Sequence, residues 1–256
     1  MTAPVPEDAP RIVLLGASNL VLGWRPLLKA VFEHWRRPLH ILTAHGMGRS
    51  YVASSRFFWR TAPGILECNL WSELTEQERT PPCAALITDL GNDLVYGRTT
   101  GEILQAASDA AGRLLAVNAD CRIVVTRPPL ESVESLSQLR YLFFRTVLFP
   151  ACRLSLSEII DATGELDEGI QQLKGVTVAS QSSQWFGIDP IHIRRQFQKT
   201  AYRTILRSWP YDSVGKACSK PNAWQRPKMA TRRVFGRERV SEQPCVQTEY
   251  GSVSAW

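Results

Sequence analysis

Four short polar clusters contain residues that together suit acyl transfer: Ser18, Gly48, Asn92, and the pair Asp189 and His192. A serine hydroxyl becomes an effective nucleophile when a histidine accepts its proton, and a carboxylate can orient that histidine. Backbone N–H groups and an asparagine amide can stabilise the negative charge that develops on the acyl oxygen. Because Asp189 and His192 are three residues apart in a proline-containing loop, a tight turn can bring them together. The clusters therefore predict a site for acyl transfer.

Each cluster also has a purely structural interpretation. Serine is favoured at helix N-caps, so Ser18 alone could cap the helix that follows it. Gly46 and Gly48 could be loop glycines that need a positive φ. Asn92 and Asp93 could form a turn or a helix cap, which is the preferred interpretation for Asp93. Catalysis is indicated by the order of all four clusters along the chain rather than by any one of them.

The elements that must position these clusters can be predicted from the hydrophobic pattern. Apolar, β-branched runs predict buried strands over 12–15, 39–44, 84–88, 122–126 and 176–179. Helical spacing predicts helices over 20–35, 100–117 and 191–209, with two more inside 137–173 that break near Pro150 or Gly164. Strands that alternate with helices predict a flavodoxin-like three-layer α/β/α sandwich around a mostly parallel five-stranded sheet. Ligands bind at the carboxyl ends of such strands, where three of the clusters fall.

Composition and charge define the domain organisation. We expect one domain over 11–209, preceded by a short extension over 1–10 and followed by a tail over 210–256. The tail mixes Pro, Gly, Ser and charged residues, which predicts disorder. It has eight Lys or Arg against four acids, and so accounts for +4 of the net charge of +6. Because most of the excess charge lies in this separable segment, the charge argues against nucleic acid as the main partner.

Several other classes of protein are disfavoured. No run of eighteen apolar residues predicts a membrane span, and "MTAPVPEDAP" lacks the features of a secretory signal, so a cytoplasmic protein is expected. The six cysteines form no C-x-x-C pair, and no glycine-rich phosphate motif is present. Asp89 and Asp93 could form a Mg²⁺ site, but no further acidic cluster accompanies them. We therefore expect neither a metal nor a cofactor; the oligomeric state stays open.

The segments around Ser18, Gly48, Asn92 and His192 resemble the four consensus blocks of the SGNH (GDSL-type) hydrolases, over about residues 11–209. "DPIH" at 189–192 matches the last block fully, and "GMGRSY" resembles the second. The resemblance implies the three-layer fold and an esterase-type hydrolase that uses no metal. It assigns Ser18 as nucleophile, His192 as base and Asp189 as its orienting carboxylate. The Ser18 and Gly48 N–H groups and the Asn92 amide would form the oxyanion hole.

Two positions depart from the family pattern. Ala17 stands where an aspartate is usual, and Leu90 stands where a glycine is expected. Asn19 is a candidate to replace some of the missing hydrogen bonds. Asn19 and His45, the competing histidine, are both candidates to line the pocket. These departures favour one alternative, an inactive binding module on the same fold. A second alternative, a protein whose basic tail binds nucleic acid or acidic partners, rests on the arginines and Trp224 of the tail. The apolar segment "LRYLFFRTVLF" at 139–149 predicts a core-packing helix, and the alternative is an acyl-chain wall or lid.

Overall fold

The computed structural model of the chain describes residues 9–75, 81–211, 227–248 and 250–256. The strands are β1 Arg11–Leu15, β2 Leu39–Ala44, β3 Ser55–Phe57, β4 Arg60–Ala62, β5 Pro82–Ile87, β6 Arg122–Thr126, β7 Thr177–Ala179, β8 Thr231–Val234, β9 Arg237–Val240, β10 Val246–Thr248 and β11 Gly251–Ala255. The α-helices are α1 Ser18–Leu22, α2 Trp24–His34, α3 Leu70–Thr75, α4 Asn92–Val95, α5 Thr100–Val117, α6 Leu130–Glu134, α7 Gln138–Leu148, α8 Leu156–Gln171 and α9 Gln198–Ile205.

The central sheet has seven strands in the order β10-β11-β2-β1-β5-β6-β7. The five predicted strands, β2, β1, β5, β6 and β7, pair in parallel as neighbours, in the flavodoxin-like order. Helices α3, α5 and α8 contribute to the core on one face, and α2 and α9 contribute to the core on the other. The predicted three-layer α/β/α sandwich is therefore confirmed, with two more strands in the sheet than expected. The strand order reverses between β1 and β5, where such folds bind ligands.

Both faces of the sheet are covered, which explains why its strands are apolar throughout. Along β1, Ile12 and Leu14 point into one core, whereas Val13 and Leu15 point into the other. A strand buried on both sides is expected to be a continuous apolar run rather than an alternating one. Within the described ranges, no helix is long and apolar enough to cross a membrane.

The structure differs from the predicted disordered tail in the part that it describes. Strand β11 lies parallel to β2, and β10 pairs antiparallel with β11. Strands β8 and β9 extend the β3–β4 hairpin into a second sheet of order β3-β4-β8-β9. The physical reason is that β11 satisfies main-chain groups that β2 would otherwise leave unpaired at the sheet edge. Residues 212–226 of the predicted tail lie outside the described residues.

Two predicted helices have different limits. The helix expected over 20–35 is divided into α1 and α2 at Gly23, where a Cβ would overlap the ring of Tyr202. The helix expected over 191–209 begins only at Gln198, because the residues before it form the loop that contains His192. The predicted break near Pro150 falls between α7 and α8.

The core-packing prediction for residues 139–149 is wrong for most of that segment. Only Tyr141 of α7 is buried, whereas Leu139 is 80% exposed and Phe143 is 62% exposed. The side chain of Arg140 donates to the main-chain oxygens of Gly187 and Ile188, at 3.0 and 2.6 Å. Helix α7 therefore lies against the loop that leads to His192 and exposes several large apolar side chains: Leu139, Leu142, Phe143 and Val147.

Strand β11 requires a glycine at its first residue, which gives a test of the insertion. Gly251 has a φ of +134°, and a Cβ there would overlap main-chain atoms of Leu39 in β2. We expect Gly251→Ala to lower the free energy of unfolding by about 3 kcal/mol or more, because backbone strain and overlap add. Urea unfolding measures the loss. Gly236→Ala is the matched control, since Gly236 also has a positive φ but faces open space. Equal losses in the two variants would contradict the described packing of β11 on β2.

Candidate active site

Ser18 lies at the carboxyl end of β1, where the chain turns into α1. The N–H of Gly16 donates to the carbonyl of Ala44 in β2 (3.1 Å), which holds the turn against the neighbouring strand. The N-cap of α1 is Ala17, without a side-chain cap hydrogen bond, and Ser18 is only 4% exposed. Ser18 therefore does not cap the helix. Among the described residues its hydroxyl has no hydrogen-bond partner, so it is available for another role.

Asp89, which follows β5, provides a carboxylate beside the serine turn. It accepts hydrogen bonds from the N–H of Ala17 (2.8 Å), the N–H of Asn19 (3.0 Å) and the Asn19 side-chain amide (2.7 Å). Burial raises the pKa of Asp89, and the hydrogen bonds from Asn19 and Ala17 oppose that rise. Asp89 adopts a φ of +66°, a conformation that aspartate tolerates better than most residues. These hydrogen bonds were not predicted from the sequence. They place an aspartate carboxylate beside Ala17, the position at which the family pattern has an aspartate.

Asn19 connects the serine turn to the histidine loop. Its side-chain amide donates to the carbonyl of Ile191 (2.9 Å), and its Oδ1 accepts from the N–H of Ile193 (3.0 Å). These are the two residues on either side of His192. The carbonyl of Asn19 also accepts from the Tyr202 hydroxyl (2.7 Å). Asn19, the residue after Ser18, is thus hydrogen-bonded to both neighbours of His192. These bonds bring the cluster of Ser18 and the cluster of His192 together.

His192 and Asp189 form a hydrogen-bonded pair in this loop. His192 Nδ1 lies 2.5 Å from Asp189 Oδ2, and Asp189 Oδ1 accepts from the N–H groups of Ile191 (3.0 Å) and His192 (3.2 Å). Burial acts to raise the pKa of Asp189, but the hydrogen bonds and the charge of His192 outweigh it, and the pKa is lowered. An ionised Asp189 accepts the Nδ1 proton, which leaves Nε2 of His192 as the basic nitrogen.

The lowered pKa of Asp189 predicts a pH dependence of stability. A carboxyl group whose folded-state pKa is depressed stabilises the fold above its ordinary pKa, and this stabilisation is lost as pH falls through the lowered value. We expect the difference in free energy of unfolding between the wild type and Asp189→Asn to be largest at neutral pH. It should shrink below about pH 4, near the ordinary pKa of aspartate. Chemical denaturation at a series of pH values measures this, and a difference that does not change with pH would contradict the assignment.

Gly48 follows β2 in a conformation that favours glycine. Its φ is +62°, and a Cβ would lie 2.6 Å from the hydroxyl of Tyr96 and 2.7 Å from the ring of Phe57. The Tyr96 hydroxyl donates to the Gly48 carbonyl (2.6 Å). The buried Arg49 side chain donates to the main-chain oxygens of Trp256 and Pro63, which ties this loop to the end of β11. Gly48, rather than Gly46, is therefore the glycine of this loop with the positive φ.

Asn92 is the first residue of α4, the helix that follows β5, and is 8% exposed. Its side-chain nitrogen is buried and has no hydrogen-bond partner among the described residues. Leaving a buried donor unsatisfied costs about 1–3 kcal/mol, so an unpaired amide here is informative. Gly48, Ser18 and Asn92 follow β2, β1 and β5, which are adjacent in the sheet. A carbonyl oxygen that binds at this edge would give the Asn92 amide an acceptor.

Substitution of Asn92 tests whether its side-chain amide acts in catalysis or only in structure. We expect Asn92→Ala to lower kcat by about 10²–10³-fold, as loss of one oxyanion donor does in other hydrolases. We expect no loss of thermal stability, because the amide has no partner to lose. Steady-state kinetics and thermal unfolding measure the two effects. The control is Asn118→Ala. It removes an amide that does have a partner, because the Asn118 amide donates to the carbonyl of Pro82 (3.0 Å). If Asn92→Ala is less stable with unchanged kcat, the assignment fails.

Two further residues, Asp93 and Tyr51, hold the glycine loop; a structural interpretation was preferred for Asp93, but its contacts with this loop and the role of Tyr51 were not predicted. The carboxylate of Asp93 accepts from the Ser50 hydroxyl and from the Tyr51 N–H (3.0 Å). The Tyr51 hydroxyl lies within hydrogen-bond distance of the carbonyls of Leu15 (2.9 Å) and Thr88 (2.8 Å), at the ends of β1 and β5. Asp93 therefore has a structural role, and its carboxylate has different partners from that of Asp89. The sequence gives only a weak signal, a polar residue and a tyrosine near strand ends.

His45, the competing histidine, is buried. Its ring stacks on Trp24 with centroids 5.8 Å apart, and its Nδ1 lies 3.2 Å from the Thr43 hydroxyl. His45 also lines a large cavity. The carboxylate pair with Asp189 makes His192 the better candidate base.

A small cavity of about 90 Å³ lies next to Asn92. Its lining is mixed: Asn19 and Asp89 are among its polar residues, and Val133, Phe149 and Ile191 are among its apolar ones. Ser18 and His192 are not hydrogen-bonded to each other in the described structure, and catalytic hydrogen bonds of ligand-free enzymes are often long. The site therefore combines a serine without a partner, a histidine with a carboxylate, an unpaired amide and an adjacent cavity.

No protein-family model and no curated protein sequence matches this chain. Among solved structures, the chain is similar to a carbohydrate esterase family 3 protein from Talaromyces cellulolyticus, with 12% identity, 77% of this chain and 94% of that chain covered, and a TM-score of 0.46. It is also similar to a psychrotrophic esterase from Pseudoalteromonas sp., with 14% identity, 78% and 95% covered, and a TM-score of 0.45. At these identities the likenesses concern the fold alone.

Proposed function

We propose that this protein is a serine hydrolase that cleaves a carboxylic ester or thioester and transfers the acyl group to water. The observation that carries the proposal is a pair of hydrogen bonds on the Asn19 side chain, which donates to the Ile191 carbonyl and accepts from the Ile193 N–H. They hold the turn of Ser18 against the loop in which His192 is paired with Asp189. The unpaired amide of Asn92 supports an oxyanion hole at the same sheet edge.

The proposed reaction has two steps. The Ser18 hydroxyl attacks the acyl carbon while Nε2 of His192 takes its proton, and Asp189 stabilises the resulting imidazolium. The Ser18 and Gly48 N–H groups and the Asn92 amide hold the negative oxygen of the tetrahedral intermediate. His192 then returns the proton to the leaving alcohol or thiol. A water molecule, deprotonated by His192, hydrolyses the acyl-enzyme and restores Ser18.

The small cavity beside Asn92 favours a short acyl group. Its volume of about 90 Å³, with Val133 and Phe149 in its wall, fits a few carbon atoms. A long acyl chain would have to lie elsewhere.

The test is a pre-steady-state assay with p-nitrophenyl acetate, butyrate and octanoate. We expect a rapid burst of one p-nitrophenol per protein, followed by slower turnover, because acylation and deacylation are separate steps. The acetate ester should be the best substrate. If the folded protein binds these esters but hydrolyses none of them, the inactive binding module on the same fold is the correct alternative.

A further inference from the structure

A second, much larger cavity of about 1370 Å³ lies beside the proposed active site. Its wall includes Val21 and Leu22 of α1, the helix that begins at Ser18. It also includes Ile193, which follows His192, and Met47, which precedes Gly48. The cavity therefore borders the serine, histidine and glycine clusters together. Its opposite wall comes from Pro227–Met229 and the second sheet.

The polar lining of this cavity is strongly cationic. Six of its residues are basic: Arg25, Arg60, Arg195, Lys228, Arg232 and Arg239. None of the residues described in its wall is an Asp or a Glu. Of the ion pairs within the described ranges, none involves these six side chains. A concave surface with one sign of charge concentrates ligands of the opposite sign.

Strand register explains how the arginines reach the cavity. Arg232 in β8 is directly opposite Arg239 in β9, and Arg60 in β4 is opposite Val234, so these side chains lie on one face of the sheet. On the other face, Arg233 is opposite Glu238. Like charges directly opposite each other are destabilising. The acid of this sheet, Glu238, lies on the face away from the cavity. The arginines on the cavity face therefore have no acid opposite them in the sheet.

The side chain of Arg232 is already held in place. Its Nη1 donates to the carbonyl of Met229 (2.9 Å) and to the Ser241 hydroxyl (2.9 Å). A fixed guanidinium loses little conformational entropy when it binds an anion, and the arginine fork suits phosphate oxygens. These features point to a bound group with several negative charges.

We propose that this cavity binds the phosphate-bearing part of the substrate. This inference rests on the proposed function, and it makes the preferred substrate an acyl ester or thioester of a phosphorylated alcohol or thiol. The phosphates would be held by Arg60, Arg232 and Arg239 while the acyl group reaches Ser18. A cavity that borders the reacting residues fits a small polyanion better than a nucleic-acid duplex, which needs an extended surface.

Matched thioesters test the proposal. Acetyl-coenzyme A and S-acetyl-pantetheine have the same reacting group, but only the first has phosphates. We expect the wild type to have a higher kcat/KM for acetyl-coenzyme A. In Arg60→Gln/Arg239→Gln the ratio of the two kcat/KM values should fall by about tenfold or more, because charge-assisted contacts are lost. The control is Arg56→Gln/Arg233→Gln, which removes the same charge from outside the cavity lining and should keep the wild-type ratio. Equal ratios in all three proteins would overturn the proposal.

A binding measurement separates this proposal from the hydrolase assignment. Calorimetric titration with inorganic tripolyphosphate should show binding to the wild type and the control, and weaker binding to Arg60→Gln/Arg239→Gln. That result without any thioester cleavage would support the anion site and reject the hydrolase. Cleavage of both thioesters with no tripolyphosphate binding would reject the anion site alone. Binding of a DNA duplex without binding of tripolyphosphate would overturn the proposal in favour of nucleic acid.

Discussion

Ser18→Ala is expected to lower kcat/KM for p-nitrophenyl acetate by about 10⁴- to 10⁶-fold, the range seen when a nucleophilic serine is removed from other hydrolases. The loss is large because Ser18 is the residue that the proposed mechanism acylates. Residual activity would come from the oxyanion donors and from substrate binding. Initial rates over a range of ester concentrations measure the effect.

The same variant should keep its fold, which makes the result interpretable. The Ser18 hydroxyl has no hydrogen-bond partner among the described residues, so its removal leaves no donor or acceptor unpaired. Thermal unfolding of Ser18→Ala should match the wild type. Ser132→Ala, at another buried serine, is the control and should keep full activity. A wild-type rate in Ser18→Ala would contradict the assignment of Ser18 as the nucleophile.

Asp189→Asn is expected to lower kcat by about 10³- to 10⁴-fold, even though the side chain keeps its size. The asparagine amide would donate to His192 Nδ1 and so favour the tautomer that carries its proton on Nε2. In that tautomer His192 cannot take the proton of Ser18. The variant also loses the negative charge that stabilises the imidazolium. Single-turnover assays measure the acylation step directly.

A surface aspartate provides the control for this second prediction. Asp161 lies exposed on α8, and Asp161→Asn removes the same charge without touching the site. It should leave kcat unchanged. If Asp189→Asn and Asp161→Asn behave alike, the pair of His192 and Asp189 is structural, and the base must be sought elsewhere, first at His45.

The central fold was predictable because its signals are local. Strand β1 is buried on both faces, so Ile12–Leu15 appears in the sequence as an unbroken apolar run. The pairing of Asp189 with His192 depends on a spacing of three residues. The positions of Ser18, Gly48 and Asn92 follow from the rule that parallel strands present their carboxyl ends at one edge.

The contacts that complete the site were not predictable, because they join distant parts of the chain. Asp89 and Ala17 are 72 residues apart, and Asn19 and Ile191 are 172 residues apart. Strand β11 has the sequence GSVSA, whose small polar residues give no β-strand pattern. Its burial depends on the free edge of β2, which only the folded sheet provides. The cationic cavity was hidden for the same reason, since Arg232 and Arg239 lie in the segment predicted as a tail.

The most direct test of the central claim is intact mass spectrometry after incubation with a fluorophosphonate, which reacts with activated serines. The wild type should gain the mass of one phosphonyl group, and Ser18→Ala, treated in the same way, should gain none. This result would identify Ser18 as an activated nucleophile whatever the natural substrate is. A folded wild type that forms no adduct, or an adduct that persists in Ser18→Ala, would contradict the proposed active site.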